Sequence, residues 1–154
     1  MTDAPLRPAV VDASVAVKWV LDEAYADLAV GLYARSVLAK RPLLAPVFLP
    51  NEVTNAIFRQ YRRDRISEIR ADAAVARFFE LSLDLQFVNP LSLAQRAYTA
   101  AKRHRLGAIY DSLYVVLAEE MVADLWTDDR HLVIAVALAA PWVRWIGDYP
   151  AAGP

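Results

Sequence analysis

Val10-Val11-Asp12-Ala13-Ser14-Val15-Ala16-Val17-Lys18-Trp19 runs from a short apolar strand through an aspartate into a helix whose first turn carries Ser14. Open parallel sheets bind their ligands beyond the carboxyl ends of the strands, so an acid placed there faces the functional crevice. Asp12 is the anchor of the reading, and the question is which residues join it.

Outward from that stretch, short apolar runs alternate with longer segments of helical period. Asp22 to Lys40 carries Leu28, Leu32, Val37 and Leu38 at helical spacing, and Leu43-Leu44-Ala45 follows as a second strand closed by Pro46. Pro50 suits the first turn of the next helix, about Leu49 to Asp64. That helix has two faces: Val53, Ile57, Phe58 and Tyr61 lie on a packing side, and Glu52, Asn55, Arg59, Arg62 and Arg63 on a polar one. Ser67 caps a helix to Leu83, Leu85 to Val88 is a third strand, and Ser92 to Arg105 is a helix with a basic last turn before Gly107. Tyr110 to Val122 has so little polar surface that it reads as a buried helix with Asp111 at its mouth. Leu125-Trp126 is a fourth strand, Arg130 to Ala140 a helix, Val143 to Ile146 a fifth strand, and Asp148 to Pro154 a loosely ordered tail. Strands separated by helices of this length imply βαβ units, hence a three-layer α/β/α fold around a mainly parallel five-stranded sheet. No linker or repeat divides the chain, so residues 1–154 are expected to form a single domain.

At 154 residues a domain buries roughly 68 to 70% of the surface its unfolded chain would expose, enough for a real core. A hydrophobic share of 57% exceeds that of an ordinary soluble domain and points to an oligomer. A net charge of −1 leaves any nucleic-acid footprint to local basic patches such as Arg59, Arg62 and Arg63. The absence of cysteine removes disulfides, thiolate metal sites and cysteine nucleophiles. No signal peptide is expected, and the longest apolar run, Leu132 to Ala140, is too short for a bilayer, so a cytoplasmic protein is expected.

Asp12, Asp111 and Asp129 could each be no more than a helix cap. Their placement argues for more. Asp12 and Asp129 follow strand ends while Glu52 and Asp111 lie in first turns of helices, and in a parallel α/β sheet those positions share one edge. Converged carboxylates repel unless a cation sits among them, and an oxygen-only donor set suits Mg²⁺ or Mn²⁺. Such an ion activates water and stabilises charge on a phosphoryl group, so no histidine base is required, and His104 and His131 are read as ordinary helix-end or surface residues. Asp128 competes with Asp129 for the fourth position; Ser14, Asn55 and Thr127 are candidates to support the ligands, and Asp22 and Glu23 read as surface.

These motifs resemble the PIN-domain ribonucleases, and among them the VapC toxins of bacterial toxin–antitoxin pairs. The resemblance rests on Val-Val-Asp12-Ala-Ser14, Pro50-Asn-Glu52-Val with Asn55, Tyr110-Asp111-Ser-Leu-Tyr114 with Ala118-Glu119, and Trp126-Thr127-Asp128-Asp129. It implies Asp12, Glu52 and Asp111 as metal-site acids, and the family's Thr-x-Asp selects Asp129. This chain has Ser112 where the family often has alanine, and Asp128 where a small residue is frequent. The resemblance further implies Mg²⁺- or Mn²⁺-dependent cleavage of RNA, a homodimer, and inhibition by a VapB-like antitoxin. Rival expectations are a PIN ribonuclease of routine RNA turnover and a non-catalytic binding module whose acids are caps. A phosphotransferase or phosphatase with an aspartyl nucleophile fits worse: Ser14 stands where haloacid-dehalogenase-type phosphatases need a second Asp, and no lysine follows Lys102 for a receiver domain.

Overall fold

The Val10-Val11 run forms the central strand of a five-stranded sheet in the computed structural model, which describes residues 6–151. Strand β1 (Ala9–Val11) pairs on one side with β2 (Leu43–Pro46) and on the other with β4 (Asp124–Thr127); β3 (Leu85–Val88) lies beyond β2 and β5 (Val143–Trp145) beyond β4. Every pairing is parallel, with Val10 opposite both Leu44 and Leu125. Strands covered on both faces carry unbroken apolar runs, and the side chains of β1 are wholly buried. The order β3-β2-β1-β4-β5 reverses direction between β1 and β4, and that reversal opens a crevice at their carboxyl ends.

Helices α1 (Ala13–Ala16), α2 (Ala26–Leu38), α3 (Leu49–Arg62), α4 (Glu68–Leu81), α5 (Ala94–His104), α6 (Ile109–Glu120) and α7 (Arg130–Val136) fill the connections and complete the three-layer fold. Helix α6 is the hub: Ser112 to Ala118 are all buried, it packs on β1, β2 and β4, and α5 runs alongside it. Burial of a side chain such as Leu117, with no exposed surface left, stabilises the fold by about 1.5–3 kcal/mol. The buried Ser112 hydroxyl donates to the Ala97 carbonyl at 2.7 Å, which ties α6 to α5.

Several boundaries differ from the sequence reading. The helix expected from Asp22 begins at Ala26, because Tyr25 adopts a left-handed conformation (φ 65°) that closes a turn first. Helix α5 begins at Ala94 rather than Ser92, after a 3-10 turn over Leu91–Leu93, and its cap at Arg105 (φ 52°) falls where the sequence places the end. Helix α7 stops at Val136 short of Ala140: the Ala139 and Ala140 N–H groups both close back on the Val136 carbonyl, at 3.0 and 2.7 Å, in a turn that leads the chain to β5. On α3, Leu49, Val53 and Ile57 are buried, but Phe58 and Tyr61 are 54% and 38% exposed and belong to the surface. The start of the expected loose tail is anchored: the Tyr149 ring meets Trp126 edge-on at 5.0 Å, and Arg35 donates to the Pro150 carbonyl at 2.9 Å. Residues 152–154 lie outside the described residues.

Candidate active site

Asp12 leaves β1 in extended backbone and caps α1, its Oδ1 accepting the Val15 N–H at 3.1 Å and the Ser14 hydroxyl at 2.5 Å. Its own N–H donates to the Trp126 carbonyl at 3.3 Å, so the acid sits on the crevice between β1 and β4. Burial pushes the carboxyl up to about 6; the Ser14 and Thr127 hydroxyls and the Val15 N–H oppose that rise, and the charge of Glu52 adds to it.

Glu52 stands in the first turn of α3, half-buried, and the Tyr114 hydroxyl from α6 donates to its Oε2 at 2.5 Å. Burial raises its pKa, the Tyr114 bond lowers it, and the Asp111 charge raises it. The Tyr114 phenol, buried against that carboxylate, is held far above its ordinary value and stays protonated. Asp111, in the first turn of α6, is raised by burial and then by the charge of Asp129. Asp129 caps α7: its Oδ1 accepts the Leu132 N–H at 3.1 Å, and its own N–H donates to Thr127 Oγ1 at 3.0 Å. Repulsion thus links Asp12 to Glu52, Glu52 to Asp111 and Asp111 to Asp129 in one chain.

Asp128 is held elsewhere. Its carboxylate pairs with the Lys18 ammonium at 2.9 Å and accepts the Trp145 indole N–H at 3.1 Å, while its backbone N–H donates to Ser14 Oγ at 2.9 Å. Lys18, with its side chain only 3% exposed, also pairs with Glu23 at 3.2 Å, so Glu23 is a partner of a buried cation where the sequence suggested plain surface. A relay of contacts therefore runs from Glu23 through Lys18, Asp128 and Ser14 to Asp12. Gly147 serves the same network: a Cβ there would lie 2.3 Å from the Trp145 ring.

Asn55 and Arg59 line a groove of about 250 Å³ with Ala13, Ser14, Val17, Glu52 and Ala56, whereas Arg62, the last residue of α3, and Arg63, its cap, are exposed further along. On the other side of Glu52 lies a second hollow, formed by Val47, Phe48, Asn51, Glu52 and Tyr110.

Whether these acids suit a divalent cation is decided by their chemistry. Among the described residues none of the four takes part in an ion pair with lysine, arginine or histidine. A buried carboxylate such as Asp12, offered only hydroxyl and amide donors, is costly to ionise, and a hard cation is the partner it lacks. Among the described residues no three acid or histidine side chains stand close enough to share one ion in this conformation. Asp111 is half-buried and Asp129 exposed. The donor set fits such an ion.

The chain belongs to the PIN domain family, which matches residues 9–137, and PIN domains are generally metal-dependent nucleases. Among solved structures, PAE2754 from Pyrobaculum aerophilum resembles it with a TM-score of 0.68 over 92% of this chain and 90% of its own, at 20% identity, a likeness of fold. No curated protein sequence matches the chain.

Sequence reasoning passed over Lys18, Tyr114 and the Phe48–Tyr110 pair. A signal existed for Lys18, a lone charge in the run Val15 to Leu21, because a cation in such a run needs an acid partner. Tyr114 read as core, and its hydroxyl is what brings it to Glu52.

Proposed function

We propose that the chain is an endoribonuclease that uses Mg²⁺ or Mn²⁺ to hydrolyse RNA phosphodiesters, with Asp12, Glu52, Asp111 and Asp129 as the ligands. The observation that carries the reading is the run of carboxylates from Asp12 through Glu52 and Asp111 to Asp129, the first three each raised by the charge of the next and none of the four making an ion pair with a basic side chain among the described residues. A bound divalent ion supplies a Lewis acid for the phosphoryl oxygens and an acidified water for in-line attack. Ser14 and Thr127 orient Asp12, Tyr114 orients Glu52, and Asp128 holds Ser14 in place. Arg59, beside Glu52, positions the RNA backbone, with Arg62 and Arg63 extending the basic track.

The motif resemblance supports a biological role as the toxin of a toxin–antitoxin pair, acting in the cytoplasm and restrained by a VapB-like antitoxin. Exposed apolar side chains such as Phe58, Ile69, Phe79 and Leu83, with the 57% hydrophobic composition, support a homodimer. The rival, a non-catalytic module, has in its favour that Asp12 and Asp129 do cap helices. Caps alone do not bind Mn²⁺.

The test is to incubate the purified protein with cellular RNA, with and without Mn²⁺, and to map new 5′ ends. Asp12→Asn and Asp111→Asn are expected to fold and to lose cleavage; full activity in both variants would end the proposal.

A further inference from the structure

Glu52 is shared by two concavities. The groove toward Ser14 carries the Arg59 guanidinium and the Asn55 amide among small side chains; the hollow toward β2 and α6, about 460 Å³, is walled by Val47, Phe48 and Tyr110 and carries the Asn51 amide. Tyr110, next in sequence to Asp111, is 57% exposed, and Phe48 meets it edge-on at 5.3 Å and Tyr114 at 5.6 Å. The aromatic wall is therefore fixed from behind by the tyrosine that holds Glu52, while the Tyr110 ring remains open to solvent. An exposed aromatic ring that lines a concavity beside a charged cluster offers a flat apolar face on which a planar ligand group can pack.

We propose that this hollow is a nucleobase subsite: an unpaired base of the substrate strand stacks on Tyr110, its edge meets the Asn51 amide, and the adjoining phosphate lies toward Arg59 across Glu52. The inference rests on the ribonuclease reading and assigns the residues that grip the strand beside the acids. A nucleotide suits the pair of concavities because it brings a flat π face and an anion on one short tether. Aromatic rings bind bases through a face that every base possesses, and an amide can exchange two hydrogen bonds with a base edge. An apolar peptide would fill the hollow but has no use for Arg59 on the far side of Glu52.

The test uses the full chain without metal and a single-stranded oligoribonucleotide containing 2-aminopurine, whose fluorescence falls on stacking, with binding followed by anisotropy. Tyr110→Ala is expected to weaken binding about tenfold, within the range of loss for one base–aromatic stack, and to abolish the quench. Tyr110→Phe should retain both within about twofold. Asn51→Ala should alter the preference among the four bases at that position and spare the quench. If the wild-type chain binds without metal and cleaves once Mn²⁺ is added while Tyr110→Ala keeps full affinity and quench, the subsite is wrong and the nuclease stands. If Tyr110→Phe is as impaired as Tyr110→Ala, stacking is not the role of this residue. If the wild-type chain cleaves with Mn²⁺ but shows no quench, the subsite alone falls; if it neither binds nor cleaves with Mn²⁺ added, both readings fall together.

Discussion

Asp12 does two jobs that can be pulled apart. As a helix cap it needs only a side-chain oxygen, which asparagine supplies equally well; as a ligand it needs its charge. Its pKa rises on folding from 3.8 to about 6, so between those values the folded chain holds a proton that the unfolded chain has released. Stability falls as pH rises through that window and stays lower above it, by on the order of 3 kcal/mol at 1.36 kcal/mol per unit. Asp12→Asn should therefore raise the melting temperature of the metal-free protein at pH 7.5, lose that advantage near pH 4, and abolish cleavage. Thermal melts in EDTA at the two pH values check this, and a destabilised variant at pH 7.5 would show the carboxylate to be structural. The placement of Asp12 at a strand end was legible because an apolar run ending in an acid has few alternatives. Lys18 was not legible as a site residue, since its partners Glu23 and Asp128 stand 5 and 110 residues away and only the fold joins them.

At the scale of elements, alternating apolar runs and helical periods disclosed the succession of strands and helices along the chain and the parallel sheet, because in a parallel sheet each strand is buried on both faces; the order of strands within the sheet came from the structure. Helix ends were less legible. Ends of α2, α3, α5 and α6 pass through left-handed backbone at Lys40, Asp64, Arg105 and Val122, where the usual signal, glycine, is absent. A local hydrogen bond closes these ends without glycine: after α6, the Ala123 N–H reaches back five residues to the Ala118 carbonyl at 2.8 Å and feeds the chain directly into β4. Val122 is the most strained of these, a β-branched residue at φ 51° whose side chain is exposed. Val122→Gly should stabilise the fold by about 1 kcal/mol, the left-handed cost of an L side chain less the extra unfolded-state entropy of glycine. Chemical denaturation should show a higher midpoint at unchanged slope. Phe58 and Tyr61 were misplaced for a related reason: periodicity gives the centre of a buried stripe well and its margins poorly, and the stripe of α3 ends at Ile57.

The whole molecule is an acidic crevice with a basic approach. Net charge near zero conceals this arrangement, since Arg59 and Arg62 lie on the same helix as Glu52 and Arg63 caps its end. Phosphate contacts should appear as salt dependence: Arg59→Ala is expected to weaken RNA binding uniformly across sequences and to lower the slope of log affinity against log salt by about one. An unchanged slope would remove Arg59 from the backbone track. The acids themselves come from four separate elements, so their proximity is a property of topology and could be inferred from sequence only through the rule that strand ends share an edge.

The central claim, that these four carboxylates are a divalent-cation site, is tested most directly by thermal unfolding at pH 7.5 with increasing Mn²⁺, for the wild-type chain and for Asp111→Asn. The account predicts a wild-type rise on the order of 5–10 °C once metal exceeds its dissociation constant about a hundredfold, and little or no rise in the variant. A wild-type melting temperature indifferent to millimolar Mn²⁺, or an equal rise in both proteins, would contradict it.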